Sequence, residues 1–348
     1  MKTEILKPTK ENINIAAGSI RKGELVGMPT ETVYGLAANA LNPDSVKNIY
    51  SVKGRPSNNP LIVHIADFNE LDKICYINDD AIKLAKAFWP GPLTILQYKK
   101  DIIPDAVTGS LNTVAIRMPS NKIARDLISM SGLPIAAPSA NKSGRPSPTL
   151  PEHVYKDFNG LIPYIIDGGQ CEIGLESTVI NVASKPYTVL RPGKISIEEI
   201  RQILPDVMLS NNILHEPSPD TVPESPGMMY KHYAPNAKLI LVSGDRFNVA
   251  KKINELYNKS LIENSRTKIL CFDENAYLYP DKSFIKIGSS KHHEELAHKL
   301  FALLRSLDEM GVETVYSEVA DLGGIGLAIM NRMIRAAAFN IIDVDKIK

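Results

Sequence analysis

The chain has 348 residues, 44% apolar and 23% charged, an ordinary balance for a folded protein and a length that predicts about two domains at about 150 residues each. Lys and Arg total 40 against 39 Asp and Glu, a formal charge of +1, which excludes broad polyanion binding and leaves any nucleotide or nucleic-acid contact to a local basic cluster. Cys75, Cys171 and Cys271 lie far apart with no CxxC pair, which excludes a zinc ribbon, a thioredoxin-type site and a disulfide framework.

In chain order, the pattern predicts a helix at Asn12–Lys22, a strand at Leu25–Met28, a helix at Ser45–Lys53 and a strand at Leu61–His64. Helix Asp79–Phe88 follows, then strands Leu93–Tyr98 and Val114–Met118 and helix Lys122–Ser131. Strands Ile135–Ala137, Ile162–Ile166, Ser177–Asn181 and Thr188–Arg191 precede a helix at Ile197–Leu204. This mixture predicts one α/β domain over 1–205 with a large mixed sheet. Residues 206–236, crowded with prolines, read as an extended interdomain linker. From 237 to 348 the rhythm changes. Strands at Lys238–Gly244, Thr267–Phe272, Phe284–Gly288 and Thr314–Val319 alternate with helices at Arg246–Tyr257, Glu294–Met310 and Gly326–Ala338, predicting a smaller, Rossmann-like domain. No apolar run approaches the roughly 18 residues of a membrane span, and MKTEILKPTK carries no signal-peptide core, so a soluble, cytoplasmic protein is expected.

Several familiar signatures are missing. No G-x-x-x-x-G-K-[ST] loop occurs, and the strand at Lys238 ends in a single glycine, without the dinucleotide fingerprint. His293-Glu294 with His298 resembles a zinc helix, but histidines five apart on a helix point about 140° away from each other. Surface histidines are expected there. Gly323-Gly324-Ile325-Gly326 opens the last helix, and close backbone packing at a helix entry is its expected purpose.

The segments able to carry chemistry fall in the first domain and the linker. Pro29-Thr30-Glu31-Thr32-Val33-Tyr34-Gly35 supplies hydroxyls and a tight turn after a strand, and Lys53-Gly54-Arg55-Pro56 leads through Asn58-Asn59-Pro60 to the strand carrying His64. Arg117 ends a strand, where a guanidinium can clamp a carboxylate or phosphate. Ala136 to Gly144 is rich in small and hydroxyl residues, Ser177-Thr178 follow Gly174, and Arg191-Pro192-Gly193 closes the domain. Lys53, Arg55, Arg117, Lys142, Arg145 and Arg191 form a cationic set with no acidic partner adjacent in sequence. Against a near-zero net charge, that predicts a local anion site suited to a polyphosphate.

The ordered strings PTETVYGLAANA, KGRPSNNPLIVHI, WPGPLT, VAIRMP, APSANKSGRPSPT, DGG…STV and LRPG resemble the YrdC-like family over nearly the whole first domain. The linker string SPGMMYKHYAP and a second domain ending in GLAIMNRMIRAAA resemble the long form of that family. The resemblance implies an α/β fold with a twisted mixed sheet and a cationic cavity, a linker reaching over its mouth, and the smaller C-terminal domain. It implies a nucleotidyl transfer in which L-threonine, bicarbonate (or carbon dioxide) and ATP, with Mg²⁺, give threonylcarbamoyl-AMP, pyrophosphate and water. The product then goes to a separate tRNA threonylcarbamoyl transferase acting next to the anticodon. Direct tRNA contact is compatible with the resemblance but not required, and no membrane is involved.

Carried over residue by residue, the family's K-x-R…S-x-N set falls on Lys53, Arg55, Ser139 and Asn141 as the catalytic group. Threonine contacts fall on Thr32, His64, Arg117, Ala137 and Ser177, and ATP contacts on Arg55, Asn59, Thr113, Ser139, Ser147, Arg191 and Tyr230, with no protein metal ligand implied. Such a reaction needs no enzyme nucleophile, in keeping with the missing Ser/His/Asp and Cys/His arrangements. Two rival readings stay in view. A carbamoyltransferase like the YrdC-like domain of hydrogenase-maturation proteins requires cysteine-rich zinc modules, which three scattered cysteines cannot supply. An RNA-binding protein that uses the basic cavity without catalysis lacks an aromatic-interleaved basic strand.

Overall fold

The computed structural model describes residues 2–216, 232–263 and 265–346 and divides into two units, taken here one at a time. The first unit, residues 2–143 and 147–213, carries a twelve-stranded sheet. Its strands are β1 (Glu4–Leu6), β2 (Val26–Met28), β3 (Gly35–Asn39), β4 (Ile62–His64), β5 (Cys75–Tyr76) and β6 (Leu93–Lys99). They continue with β7 (Thr113–Arg117), β8 (Ile135–Ala136), β9 (Tyr164–Ile166), β10 (Thr178–Asn181), β11 (Thr188–Arg191) and β12 (Met208–Leu209). The order across the sheet is β1-β9-β2-β3-β8-β4-β7-β6-β10-β11-β12, with β5 added against β6. β4 runs parallel to β7 and β6 parallel to β10, while β3, β8 and β4 pair antiparallel. The mixed sheet expected from the sequence is present.

Local chemistry sets the helix ends beside this sheet. Asn42 caps helix Pro43–Lys53 through the backbone amides of Asp44 and Ser45, and Gly54 ends it at φ 64°, a left-handed position that costs glycine little. Lys53 is thereby fixed at a helix terminus. Two cores then form on opposite faces of the sheet. One packs helices Pro43–Lys53, Asp79–Phe88 and Pro151–Phe158 against Leu36, Val63, Ile95, Ile116 and Ile180. The other packs helices Lys10–Arg21 and Lys122–Ser131 against Val26, Met28, Ala37, Ile135 and Ala137.

Several elements differ from expectation for identifiable reasons. The sequence of β3, Gly-Leu-Ala-Ala-Asn, has weak strand preference, yet it lies mid-sheet because Gly35 allows close approach; a Cβ there would sit 3.2 Å from that of Ala137. Helix Pro151–Phe158, entered through proline, was not foreseen, and the helix expected at Ile197–Leu204 ends at Arg201. The segment read as linker begins inside the sheet, since Met208–Leu209 pair with β11 and a short 3₁₀ turn follows at Asn211–Ile213. Most of SPGMMYKHYAP, including Tyr230, lies outside the described residues.

The second unit holds residues 232–346, together with Gly144–Pro146 and Leu214–Glu216. Its five strands are β13 (Lys238–Ser243), β14 (Thr267–Cys271), β15 (Phe284–Lys286), β16 (Thr314–Glu318) and β17 (Ile341–Asp343). They form a parallel sheet in the order β15-β14-β16-β13-β17. Helices Arg246–Ile262, His293–Glu309 and Ile325–Ala336 alternate with the strands, as the rhythm of the sequence predicted. His293 is not the surface residue expected: it is buried, with Nδ1 3.7 Å from Asp321, because it packs where Gly326 leaves room for it. Among the described residues no helix is long and apolar enough to cross a membrane.

Gly193 offers a direct test of the packing that closes the first sheet. A Cβ on Gly193 would lie 2.2 Å from the backbone nitrogen of Thr178, an atom that cannot rotate away. Gly193→Ala is expected to lower unfolding stability by about 1–3 kcal/mol, the usual cost of overpacking, as measured by urea titration. A variant as stable as the parent would show that β10 can shift.

Candidate active site

The face of the sheet that carries the Ile135–Ala137 core continues across β4, β7, β6, β10 and β11, where its character changes. There Ile62, Leu96, Ala115, Val179 and Leu190 form a small buried cluster whose members all come from strands, none from a helix. Strand periodicity puts further residues on the same face: His64 beside Ile62, Thr113 and Arg117 on either side of Ala115, and Thr94 beside Leu96. The register slips between Val179 and Ile180, so Leu190 joins the cluster while Arg191 pairs with Val179. The result is an apolar floor with a polar row at one end and a second polar group at the other. Four residue steps along β7 separate Thr113 from Arg117, roughly 13 Å at strand rise.

At the first end, His64 and Arg117 are register partners on parallel strands. Arg117 donates from Nη1 to Thr32 Oγ1 at 2.9 Å and from Nε to the Gly91 carbonyl at 3.3 Å, and its Nη2 lies 2.6 Å from Glu31 Oε1. The segment bearing Thr32 and Glu31 is a tight turn held by the Thr30 hydroxyl, which accepts from the amides of Thr32 and Val33. The carbonyls of Glu31 and Thr32 accept from the amides of Ile173 and Gly174. Ser177 completes the row: its hydroxyl lies 2.7 Å from Thr94 Oγ1, and Arg191 donates to its Oγ and carbonyl, each at 3.1 Å. Ser147 donates to the Glu176 carboxylate next door.

At the second end, Lys53 cross-links the K-x-R and S-x-N strings. Its ammonium donates to the carbonyls of Ser139 and Asn141, and the Lys53 carbonyl accepts from the Ser143 amide at 2.9 Å. The Ser139 hydroxyl donates to Asn141 Oδ1 at 2.5 Å. Arg55 donates to the Pro60 carbonyl at 3.1 Å. Tyr50 donates to the carbonyls of Asn59 and Ala106, fixing the Arg55–Pro60 loop from below. Asn59 Oδ1 is buried with no hydrogen-bond partner among the described residues, an acceptor that a bound ligand can satisfy. Ala137, whose amide donates to the Ile62 carbonyl at 2.9 Å, stands between the two ends.

No acidic residue lies beside the cationic set in sequence, but one reaches it in space: Arg117 is paired with the buried Glu31, 86 positions away. Burial opposes ionisation of Glu31, but the Arg117 guanidinium beside it, together with the backbone amides of Glu31 and Ser120, holds its carboxyl below the ordinary value. Burial first, and Arg117 second, push the His64 imidazole down to about 3, so it is neutral at physiological pH. Lys142 likewise turns its ammonium onto the Val52 carbonyl at 2.7 Å.

His64 therefore leaves a signature in acid. Its folded pKa lies below the unfolded value, so its contribution to stability is complete above about pH 6.5 and is lost as pH falls towards 3. Between pH 7 and pH 5 this loss amounts to about 2 kcal/mol for that one group. Urea unfolding at the two pH values is expected to show it in the parent, and to show correspondingly less pH dependence in His64→Asn.

Two family profiles match the chain. One, described as "Telomere recombination" and covering Sua5, YciO and YrdC proteins, matches residues 18–193. The other, described as "Threonylcarbamoyl-AMP synthase, C-terminal domain", matches residues 195–338. The threonylcarbamoyl-AMP synthase of Pyrococcus abyssi is 46% identical over 336 residues, covering 95% of this chain and 96% of the relative. That of Bacillus subtilis is 44% identical over 342 residues, covering 98% and 97%. In three dimensions, the crystal structure of P. abyssi Sua5 complexed with L-threonine matches with a TM-score of 0.92 at 43% identity, over 99% of both chains. On the site's geometry and these matches, the chain belongs to the threonylcarbamoyl-AMP synthase family, in the long form with a C-terminal domain.

Proposed function

We propose that this protein makes threonylcarbamoyl-AMP and pyrophosphate from L-threonine, bicarbonate (or carbon dioxide) and ATP, on the part of its first sheet that lies beyond the helices packed on Ile135 and Ala137. The observation that carries the reading is the division of the polar residues. Thr32, His64, Arg117 and Ser177 meet at one end, whereas Lys53, Arg55, Asn59, Ser139 and Asn141 surround the other. The first group has a guanidinium and hydroxyls suited to an amino acid with a hydroxyl side chain; the second has cations and amide groups suited to a polyphosphate. Thr113 belongs with the second group, at the far end of β7. Arg191 and Ser147 lie towards the Ser177 end, where the α-phosphate must meet the carboxylated amine if both substrates are to react.

The chemistry is mainly an orientation problem. The α-ammonium of threonine first gives up a proton; the free amine then adds to carbon dioxide, giving up a second proton, and where bicarbonate is the source its hydroxide takes up one of these protons as the water released. A carbamate oxygen then attacks the α-phosphorus. The bond from that phosphorus to the bridging oxygen breaks, and pyrophosphate leaves. The protein's part is to hold the two reactants in line over the apolar floor and to place cationic groups near the charge that develops on the phosphates. Mg²⁺ arrives with ATP as part of that substrate. The product, a mixed carbamic–phosphoric anhydride, is passed on to a separate tRNA threonylcarbamoyl transferase, with no requirement for direct tRNA contact.

Pyrophosphate release from ATP should require both L-threonine and bicarbonate. Arg117→Ala is expected to raise the KM for threonine at least about tenfold more than that for ATP, the scale of a lost charge-assisted hydrogen bond. Arg55→Ala should do the opposite. Equal rises in both KM values, for either variant, would remove the division of the site into two ends.

A further inference from the structure

The Glu31–Arg117 pair does something that a bare carboxylate clamp would not. Both side chains are almost wholly buried, at 3% and 4% exposure, and they touch at 2.6 Å. Arg117 has five N–H donors; three face Gly91, Thr32 and Glu31, leaving one on each terminal nitrogen for a ligand. Its register partner His64 adds no charge, because burial and Arg117 keep it neutral. Around Arg117 itself the charges therefore cancel before any ligand enters, and beside Ser177 the further cation Arg191 is matched by a further carboxylate, Glu176. The Glu31 carboxylate is held by the Arg117 guanidinium together with the backbone amides of Glu31 and Ser120, which fixes it beside the donors that Arg117 keeps for a ligand.

We propose that Glu31 makes this end of the site selective for a zwitterionic amino acid over a simple carboxylate. A ligand bearing only a carboxylate leaves an uncompensated negative charge in a site shielded from water. A ligand that also bears an α-ammonium leaves the sum at zero, and its positive group is drawn towards Glu31 while its carboxylate takes the remaining donors of Arg117. Glu31 is thus a specificity-determining residue: it sets the charge that the ligand must carry and holds the guanidinium that binds it. The inference rests on the reading that the Arg117 end binds threonine.

Calorimetric titration of the full chain tests it with two ligands, L-threonine and (R)-3-hydroxybutyrate, which is threonine without its amine. The parent is expected to bind L-threonine at least about tenfold more tightly. Glu31→Gln should reduce that ratio by about tenfold or more, and Glu31→Asp, which keeps the charge, should retain most of it. Equal affinities in the parent overturn the proposal whether or not Glu31→Gln folds. Equal weakening of both ligands in Glu31→Gln also overturns it, since loss of structure alone does not distinguish the two. Arg117→Ala separates the two levels of inference. Unchanged threonine affinity in that variant removes the location of the amino-acid site and the selectivity with it. Lost threonine binding there, combined with an unchanged ratio in Glu31→Gln, removes the selectivity alone.

Discussion

A guanidinium buried at the end of a central strand demands compensation, and much of the first unit is arranged to supply it. Arg117 sits at 3% exposure on a sheet whose opposite face is close-packed with Val114 and Ile116. Without Glu31 such a charge would be costly, whereas paired and hydrogen-bonded it is tolerable. Supplying Glu31 in turn requires the Thr30–Thr32 turn to lie against β7, and that turn is pinned by the amides of Ile173 and Gly174. Segments far apart in the chain thus converge on one side chain. The neutrality of His64 follows from the same burial and the same neighbouring cation.

The same sheet explains why the site lies where it does. Where helices Lys10–Arg21 and Lys122–Ser131 cover the face, side chains from strand and helix fill the interior together. Beyond β8 the cluster on that face contains strand residues only. Among the described residues, the buried surface at Ile62, Leu96 and Ala115 is packed without those two helices. Polar residues from strand ends and loops frame it.

The sequence made the second unit and most strands of the first legible, because their periodicity is strong and their ends carry turn residues. It concealed β3, whose glycine and alanines are chosen for close packing rather than for strand preference. It also concealed the partner of Arg117, because a contact between positions 31 and 117 leaves no trace in local pattern. His293 misled for a related reason: a histidine at a helix start among charged neighbours looks solvated, yet a glycine on another helix opened a niche for it. The K-x-R and S-x-N strings were recognisable by resemblance. What Lys53 does in the structure, which is to tie the two strings together through carbonyl oxygens, could not be read from either string alone.

The topology of the first sheet also bears on how the chain must acquire its shape. β1 pairs only with β9, and the Thr3 hydroxyl donates to the carbonyl of Ile162, 159 positions further on. Arg191 reaches back to Ser177, and β10, which follows that serine, enters the sheet beside β6. Local hairpins can form early, but the amino-terminal strand has no neighbour until residues 164–166 exist. During synthesis from the amino end, β1 is made well before the strand it pairs with and must wait for it. The binding face itself is completed only when β10 pairs with β6, about 85 positions earlier, and a chain truncated before β9 would leave β1 without a neighbour and β2 as an open edge.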